Sequence, residues 1–291
     1  LDMNIRGIAT FGNGNPLFVI DGVPILTEGT SRNFNPLASI PPDNIESIQI
    51  LKDASAAAIY GARAANGVVL VTTNRGKSGK TRTQIKVSRG VADVTRFLPM
   101  MNSAQYIPYA TEAYQNAGRP IPVSFQEPLL SKNLQTNTDW QREGFSSAPV
   151  TNLFFGTSGG NDYSTYSFSA GYLNEDGTLP QSGFKRYSTN INSDFKIGKR
   201  LKIGETIGLS RAVWTGTFNQ ASSPMRQLNQ QSPTVPVYKA DADGGFDGPR
   251  LEYSPVGRAN TIGDFTLFEN SNLVNKVIGN VYASLELLPG L

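Results

Sequence analysis

The chemistry open to this sequence is limited by two absences, because its 291 residues contain no histidine and no cysteine. This excludes Ser-His-Asp and Cys-His nucleophilic sites, zinc or haem bound through either residue, and disulfides. Paired carboxylates of the glycosidase kind would remain, but candidates such as Glu175 and Asp176 are neighbours in a predicted turn. We therefore predict that the protein is not an enzyme and has no cofactor.

An acidic stretch at 241–247, DADGGFD, offers oxygen atoms to a hard cation, with Glu252 close behind it. A calcium loop of the EF-hand type needs an oxygen ligand at its fifth position and glycine at its sixth. This sequence has Gly245 and Phe246 there. The mismatch favours an ordinary acidic loop, so no metal site is predicted, and calcium binding stays the alternative.

A run without acidic residues, between Asp53 and Asp93, concentrates positive charge. Such a run is typical either of a nucleic-acid patch or of a solvated turn and linker. No aromatic residue that could stack on a base lies between Tyr60 and Phe97, and the net charge of the chain is only +3. We favour the linker and predict no nucleic-acid partner. The basic residues of the run are Arg63, Arg75, Lys77, Lys80, Arg82, Lys86 and Arg89.

The first 80 residues predict a small mixed α/β unit. Residues 17–20 (LFVI) form a short buried strand that ends at the turn pair Asp21-Gly22. Residues 45–51 and 68–73 predict two further strands.

A short helix is predicted between the second and third of these strands. Asp53 stands where an N-cap is expected, ahead of the strong helix formers at 54–60, and Gly61 follows as the residue that ends the helix.

After residue 150 the apolar pattern changes to a period of two. Tyr166 and Phe168, for example, alternate with Ser167 and Ser169. The predicted strands are about 10 residues or longer, well beyond the usual ~5–6 of soluble proteins. We predict strands near 84–92, 150–158, 163–174, 185–197, 201–213 and 274–288.

Long alternating strands fit two kinds of fold. One is an outer-membrane β-barrel, and the other is a soluble β-sandwich with one buried face. Strand length favours the barrel, and no apolar run approaches the ~18 residues of a membrane helix. Glu205 is an objection, because it has the parity of the apolar face; a bulge or a position near the membrane interface would resolve it.

Several motifs together resemble the SusC/RagA family of TonB-dependent outer-membrane transporters. In the first half these are an Arg6-Gly7 pair, residues 16–24 (PLFVIDGVP) and residues 44–69 (NIESIQILKDASAAAIYGARAANGVV), which resemble the family's plug-domain signature. The second half adds TDW at 138–140, SGGN at 158–161 and FKRY at 184–187.

The resemblance implies a 22-stranded barrel with a plug folded inside its lumen. About six strands are readable here, too few to close such a barrel. We expect residues 1–80 to be a plug domain whose beginning is missing, and residues 81–291 to be the first part of the barrel with long extracellular loops. The family's TonB-binding segment would lie before Leu1.

The resemblance also implies the function. Family members import oligosaccharides or peptides across the outer membrane of Gram-negative bacteria, driven by the TonB complex and assisted by a SusD-like surface lipoprotein. Lipid of the outer membrane would surround the barrel. The alternative from another class is a surface or periplasmic protein that binds glycans on a β-sandwich without moving them.

The site residues follow from the same resemblance. Those of the plug signature, with a structural or gating role, are Arg6, Gly7, Asp21, Gly22, Lys52, Asp53, Tyr60, Gly61, Arg63, Asn66 and Gly67. Sugar sites combine aromatic faces with planar polar groups. The substrate-binding candidates in the long extracellular segment are Trp214, Gln227, Asn229, Tyr238 and Tyr253.

Overall fold

The computed structural model describes residues 15–25, 36–52, 58–216, 224–240, 243–248, 252–255 and 259–287. They form two sheets and a helical layer. The plug sheet has four strands, β1 (Leu17–Ile20), β2 (Val23–Ile25), β3 (Ile45–Leu51) and β4 (Val68–Thr73). The wall sheet has six, β5 (Gly79–Ala92), β6 (Ala148–Gly160), β7 (Ser164–Asp176), β8 (Gly183–Ile197), β9 (Leu201–Thr215) and β10 (Ser271–Leu285).

The plug sheet is mixed, as the sequence predicts. Its order is β2-β1-β4-β3, with β1 parallel to β4 and the other pairs antiparallel. The β1–β2 hairpin turns at Asp21 (φ 48°) and Gly22 (φ 85°), the pair of positive φ angles that a tight type I′ hairpin requires. Val19 and Val68 are fully buried. Both central strands are mainly apolar because both of their faces are covered.

The predicted helix over 54–60 is only partly testable, since residues 53–57 lie outside the described part of the chain. A 3₁₀ segment runs over Ala58–Ala64 and is kinked at Gly61, which has φ 65°. Gly61 therefore separates two short turns, with the positive φ expected of a residue that ends a helical segment. A glycine at positive φ interrupts the turn at little cost, and the chain resumes it.

Short 3₁₀ turns precede β3. They cover Pro36–Ser39 and Pro42–Asn44. The chain then crosses from β4 to the wall sheet through residues 74–78.

The wall sheet is an antiparallel meander in chain order from β5 to β10. The six predicted strands are confirmed, each shifted by a few residues at its ends. Short turns at 161–163 and 198–200 lie at one end of the sheet. The long connections at 93–147 and 216–270 lie at the other end. Outer-membrane barrels have short periplasmic turns and long extracellular loops, which orients the sheet.

The wall sheet buries its polar face and exposes its apolar face, which is the reverse of a soluble sandwich. Ser167 and Ser169 are 7% and 6% exposed on the face that covers the plug sheet, whereas Phe168 between them is 37% exposed on the other. A sandwich would bury the apolar face instead. The sandwich alternative is therefore not supported.

Glu205 lies on this apolar outer face without a bulge. The register of β8 with β9 is uninterrupted, so the bulge that the sequence suggested is absent. Ser193, directly opposite on β8, donates its Oγ–H to Glu205 Oε1 at 3.1 Å. The carboxylate is thereby partly satisfied within the outer face.

A helical layer, the cap, covers the extracellular end of the wall. It is made by the two long connections together. No helix in the described residues is long and apolar enough to span a membrane. The cap's helices are α1 (Ser103–Asn116), α2 (Leu129–Gln135), α3 (Trp140–Gly144), α4 (Pro224–Asn229) and α5 (Thr261–Leu267), with 3₁₀ turns at Val123–Phe125 and Asp243–Gly245.

Candidate functional site: the plug–wall interface and the cap

Arg186 of β8 is a buried link between the wall and the plug. It is 5% exposed, and its Nη1 donates to the carbonyls of Ala38 at 3.0 Å and Ile40 at 3.2 Å. The nearby carboxylates of Glu175 and Asp43 make no direct ion pair with it among the described residues. The guanidinium therefore holds the 36–40 turn by its carbonyl oxygens.

Hydroxyl and amide groups of the wall make the next set of links. Ser167 Oγ and Asn192 Nδ2 donate to the carbonyl of Asn74 at 2.9 and 3.1 Å. Ser169 Oγ donates to Asn44 Oδ1 at 2.9 Å. The wall thus meets the plug mainly as a set of hydrogen-bond donors to acceptors at the ends of β3 and β4.

The basic run lies along the crossing and β5. Lys86 pairs with Asp43 of the plug, and Lys77 lies 2.8 Å from Glu46. Lys77 lies in the crossing, as the linker interpretation predicts, whereas Lys86 lies in strand β5. The charges of both lysines face plug carboxylates.

Glycine lets the two sheets approach at two places. A Cβ on Gly171 of β7 would come within 3.0 Å of Pro41, and one on Gly76 would meet the backbone of Tyr166 at 2.4 Å. A larger residue at Gly76 would have to displace backbone.

Apolar contact across the interface is sparse. Ile278 of β10 packs against the plug cluster that contains Phe18, Ile20 and Val71. Beside it lies a small cavity lined by both aliphatic and polar side chains, including Lys276, whose Nζ is 3.4 Å from Ser39 Oγ. The interface is therefore mostly polar.

Asp21 is the best-connected residue of the plug signature. Its carboxylate accepts from the backbone N–H of Thr73 at 2.9 Å and from the Thr73 hydroxyl at 2.7 Å. Its carbonyl accepts from Asn280 Nδ2 of β10 at 3.2 Å. One residue thus ties the β1–β2 turn to the end of β4 and to the wall.

The remaining signature residues divide by position. Gly22, Gly61 and Gly67 have positive φ. Tyr60 is half-buried and packs against the plug core. Lys52 and Arg63 are exposed, and Asn66 is half-buried. Arg6, Gly7 and Asp53 lie outside the described residues.

The cap is held together by bonds from the first long connection to the second. Trp140 is buried, and its Nε1 donates to the Ser232 carbonyl at 2.8 Å. Thr138 donates from its N–H to Pro233 O at 2.9 Å and from its hydroxyl to Val235 O at 2.7 Å. The apolar core of the cap contains Trp140, Leu228, Val235, Val237, Tyr253 and Ile262.

A cleft of about 520 Å³ opens between the two connections. Its lining is rich in amides, thioethers and aromatic rings. Asp139, the one acidic residue among the described residues of the lining, is paired with Arg142 at 3.2 Å. Asn229 Oδ1 is buried there without a hydrogen-bond partner among the described residues. The lining includes Met100, Met101, Tyr106, Tyr109, Asn137, Trp140, Asn229 and Gln230.

The structure separates the five substrate candidates. Asn229 lines the cleft. Gln227 is half-buried on the same helix, α4. Trp214 stacks on Phe184 near the cap end of the wall, with ring centroids 4.9 Å apart. Their substrate role stays a prediction.

The two tyrosine candidates have opposite surroundings. Tyr238 is 59% exposed and stacks on Phe246 at 5.6 Å. Tyr253 is 6% exposed inside the cap core, with Lys132 Nζ 5.3 Å from its ring centroid. Burial, then the charges of Asp247 and Glu252, raise the pKa of Tyr253 to about 12. Tyr253 is explained as a packing residue and is not presented to a ligand in the cleft.

Sequence reasoning missed two features of this site. Arg186 belongs to the FKRY motif, yet its partners lie near residue 40 and could not be read from the motif. The first connection supplies half of the cleft, and the TDW motif at 138–140 was the signal that this segment is built into the cap.

The fold defines a class of protein. A small mixed sheet is docked on the polar inner face of a sheet of long strands, and the outer face of that sheet is apolar. This arrangement is the plug and part of the barrel of an outer-membrane receptor. Comparison with known proteins supports this. Residues 1–68 match the family model described as TonB-dependent Receptor Plug Domain.

Relatives match almost the whole chain. TonB-dependent receptor P39 of Formosa agariphila is 30% identical over 99% of this chain and 26% of its own length. TonB-dependent receptor SusC of Bacteroides thetaiotaomicron is 28% identical over 96% of this chain and 28% of its own. The chain therefore spans about a quarter of the length of the curated relatives it matches.

Solved structures of RagAB show the same fold. The RagAB peptide transporter matches with a TM-score of 0.74 over 99% of this chain and 35% of that chain, at 23% identity. Its open-open state matches with a TM-score of 0.59 over 76% of this chain and 27% of that chain, at 27% identity.

The chain belongs to the TonB-dependent receptors of the SusC/RagA type. These are barrel proteins of the outer membrane of Gram-negative bacteria, which fixes its location. The predicted family and fold class are confirmed.

Proposed function

We propose that this chain carries the plug, residues 1–80, and the first barrel strands, residues 81–291, of a TonB-dependent importer. Its cargo is an oligosaccharide or a peptide. The TonB complex supplies the force, and a SusD-like surface lipoprotein covers the barrel and delivers the cargo. The relatives' names support TonB dependence, and the RagAB importer, by its name, carries peptides.

The observation that carries the proposal is the polar contact between plug and wall. Arg186, Ser167 and Asn192 all donate to plug backbone carbonyls. A hydrogen bond of this kind contributes a net ~0.5–1.5 kcal/mol because water replaces the lost partner, although one to a charged group contributes somewhat more. A plug held this way is displaced at far lower cost than one in an apolar core.

The cap supports a role in capturing cargo. Its cleft combines amide groups with aromatic and thioether side chains, and Asp139, the one carboxylate among its described lining residues, is already paired. Uncharged polar cargo with apolar surface suits such a lining. Asn229 Oδ1 is the acceptor in the cleft that a hydroxyl or amide N–H of the cargo would satisfy.

Locking the plug to the wall tests the proposal. Residues 1–291 contain no cysteine. In a receptor with no cysteine elsewhere, the pair Asn44→Cys and Ser169→Cys can be joined selectively by a short, reducible bis-maleimide. These side chains are hydrogen-bonded across the interface at 2.9 Å. We expect cells carrying the linked receptor to stop taking up a labelled glucan oligosaccharide or a labelled peptide mixture, and to resume after reduction.

A matched pair within the wall is the control. Ala170 and Thr189 are directly opposite on β7 and β8 and have the parity of the outer face, so linking Ala170→Cys to Thr189→Cys leaves the plug free. Uptake that continues with the plug linked would overturn displacement of the plug. If cells with the unmodified receptor take up neither cargo, the proposed classes of cargo are wrong.

A further inference from the structure

The outer face of the wall carries positive charge near one end only. Lys185 and Arg211 are exposed there. Their neighbours Arg186 and Ala212 are buried on the inner face, which fixes the direction of both side chains because residues alternate along a strand. Arg89 of β5 has the same parity as the exposed Val87 and also faces outward.

All three cations lie close to the cap end of their strands. Lys185 follows the start of β8 at Gly183 by two residues. Arg211 precedes the end of β9 at Thr215 by four, and Arg89 precedes the end of β5 at Ala92 by three. The other basic residues of β6 to β10 have inner-face parity, and these are Arg186, Lys196, Lys202 and Lys276.

Lys185 and Arg211 form a compact pair. Lys185 is opposite Val213, and Arg211 is opposite Tyr187, so the two cations are diagonal neighbours on β8 and β9. Diagonal neighbours are about 7–8 Å apart at Cα. Neither makes a hydrogen bond or an ion pair with a described residue.

One carboxylate shares this part of the face. Asp176, opposite Gly183, accepts from Asn174 Nδ2 at 3.3 Å and makes no ion pair with Lys185 among the described residues. This part of the outer face therefore has two cations and one carboxylate. Arg211 has no acidic neighbour on either adjacent strand.

The surroundings place this pair at the membrane interface. The rings of Tyr172 and Tyr187 are 5.1 Å apart on the same face, and aromatic pairs of this kind mark the edge of the bilayer. Towards the periplasm the face is apolar, with Leu209, Ile191 and Val277 exposed. Outward cations are costly at the bilayer midplane and cost little near the interface, where lipid phosphates are available.

We propose that Lys185 and Arg211 bind the phosphate of a phosphorylated glycolipid in the outer leaflet. The acyl chains would cover the apolar strip that contains Leu209 and Val277. Guanidinium and ammonium groups both bind phosphate well, the former bidentately. The apolar strip directly below the cations favours a lipid over free phosphate. The proposal depends on the outer-membrane location and not on transport.

Lipid retention by the intact receptor tests the site. The receptor, purified in mild detergent, is mixed with diphosphorylated lipid A or with dephosphorylated lipid A and measured by native mass spectrometry. We expect the Lys185→Gln/Arg211→Gln variant to retain diphosphorylated lipid A about tenfold less than the unmodified receptor, since two charge-assisted contacts are lost. The variant Lys199→Gln/Arg200→Gln, with the same charge change in a turn at the opposite end of the wall, should retain it normally.

The remaining outcomes are decisive. Millimolar inorganic phosphate should not displace the lipid, and displacement would mean that the site binds free phosphate instead. Equal retention by the two double variants, or equal retention of the two lipids, would overturn the proposal. If the first variant does not assemble, as judged by its heat-dependent gel mobility, the comparison of the two lipids on the unmodified receptor still decides it.

Discussion

Two kinds of contact hold the plug–wall interface and the cap. At the plug, wall side chains such as Arg186 donate to backbone carbonyls, and Ile278 adds apolar contact. In the cap, hydrogen bonds from Thr138 and Trp140 surround an apolar core closed by the second long connection. Both regions join distant segments, but in the part of the chain that the structure describes the cap does so around a buried, mainly apolar centre.

This difference indicates which region can move. Burying an aliphatic or aromatic side chain contributes ~1.5–3 kcal/mol, whereas a neutral hydrogen bond that water can replace contributes ~0.5–1.5 kcal/mol net. The cap is therefore expected to persist as a platform while the plug is displaced. The predictions below test this contrast, from the largest expected effect to the smallest.

Truncating Trp140 should destabilise the cap most. Trp140→Ala removes a buried ring and leaves the Ser232 carbonyl without its donor, for an expected loss of ~3–5 kcal/mol. Trp140→Phe, the control, keeps most of the apolar contact and should lose ~1–2 kcal/mol. The rate of protease cleavage within 93–147 and 216–270 measures this. An unchanged rate in Trp140→Ala would show that the core does not hold the cap.

Removing the Arg186 guanidinium should loosen the plug without affecting the cap. Arg186→Met keeps volume but loses the bonds to Ala38 O and Ile40 O, and hydrogen bonds to charged groups are worth ~1.5–3 kcal/mol. Relief of a buried charge offsets part of this. We expect the Ile40 amide, bonded to Leu37 O, to exchange hydrogen about tenfold faster.

The neighbouring residue provides the control for Arg186. Lys185→Met makes the same charge change on the opposite face, so exchange at Ile40 should stay as in the unmodified receptor. If both variants, or neither, accelerate exchange at Ile40, the guanidinium is not what holds the 36–40 turn.

Asp21 and Thr73 should show a smaller, local coupling inside the plug. Asp21→Asn tolerates the turn conformation but weakens the double contact with Thr73, and Thr73→Val removes the hydroxyl. A double-mutant cycle on the exchange of the Asp21 amide, bonded to Val71 O, should give a coupling of ~1 kcal/mol. Strictly additive effects would mean that the carboxylate does not join the turn to β4.

The strands and their faces could be predicted because successive side chains of a strand face opposite sides of the sheet, so that two different surroundings give an alternating sequence. Tyr166 and Phe168 alternate with Ser167 and Ser169, and the two serines are buried in the structure. The plug strands were likewise visible as continuous apolar runs. Glu205 was expected to need a bulge or a position near the membrane interface. The structure has no bulge there, and Ser193 on the next strand donates a hydrogen bond to the carboxylate.

The contacts between segments could not be predicted. Arg186 meets residues 38 and 40 only because two sheets dock, and no local pattern encodes that docking. The same holds for Tyr253, whose aromatic side chain could belong equally to a ligand site or to a core. Its burial depends on Trp140 and Leu228, which come from two different connections.

Alkaline titration of Tyr253 tests its burial directly and should give the smallest effect. Its pKa is raised to about 12 from an ordinary value near 10, so the neutral phenol is favoured in the folded cap. Its stabilising contribution is complete below about pH 10 and is lost as the pH rises through about 12. Difference absorbance at the phenolate band, between the unmodified receptor and Tyr253→Phe, should show a single transition near pH 12. A Tyr253 transition near pH 10 would place its ring in solvent and return it to the substrate candidates.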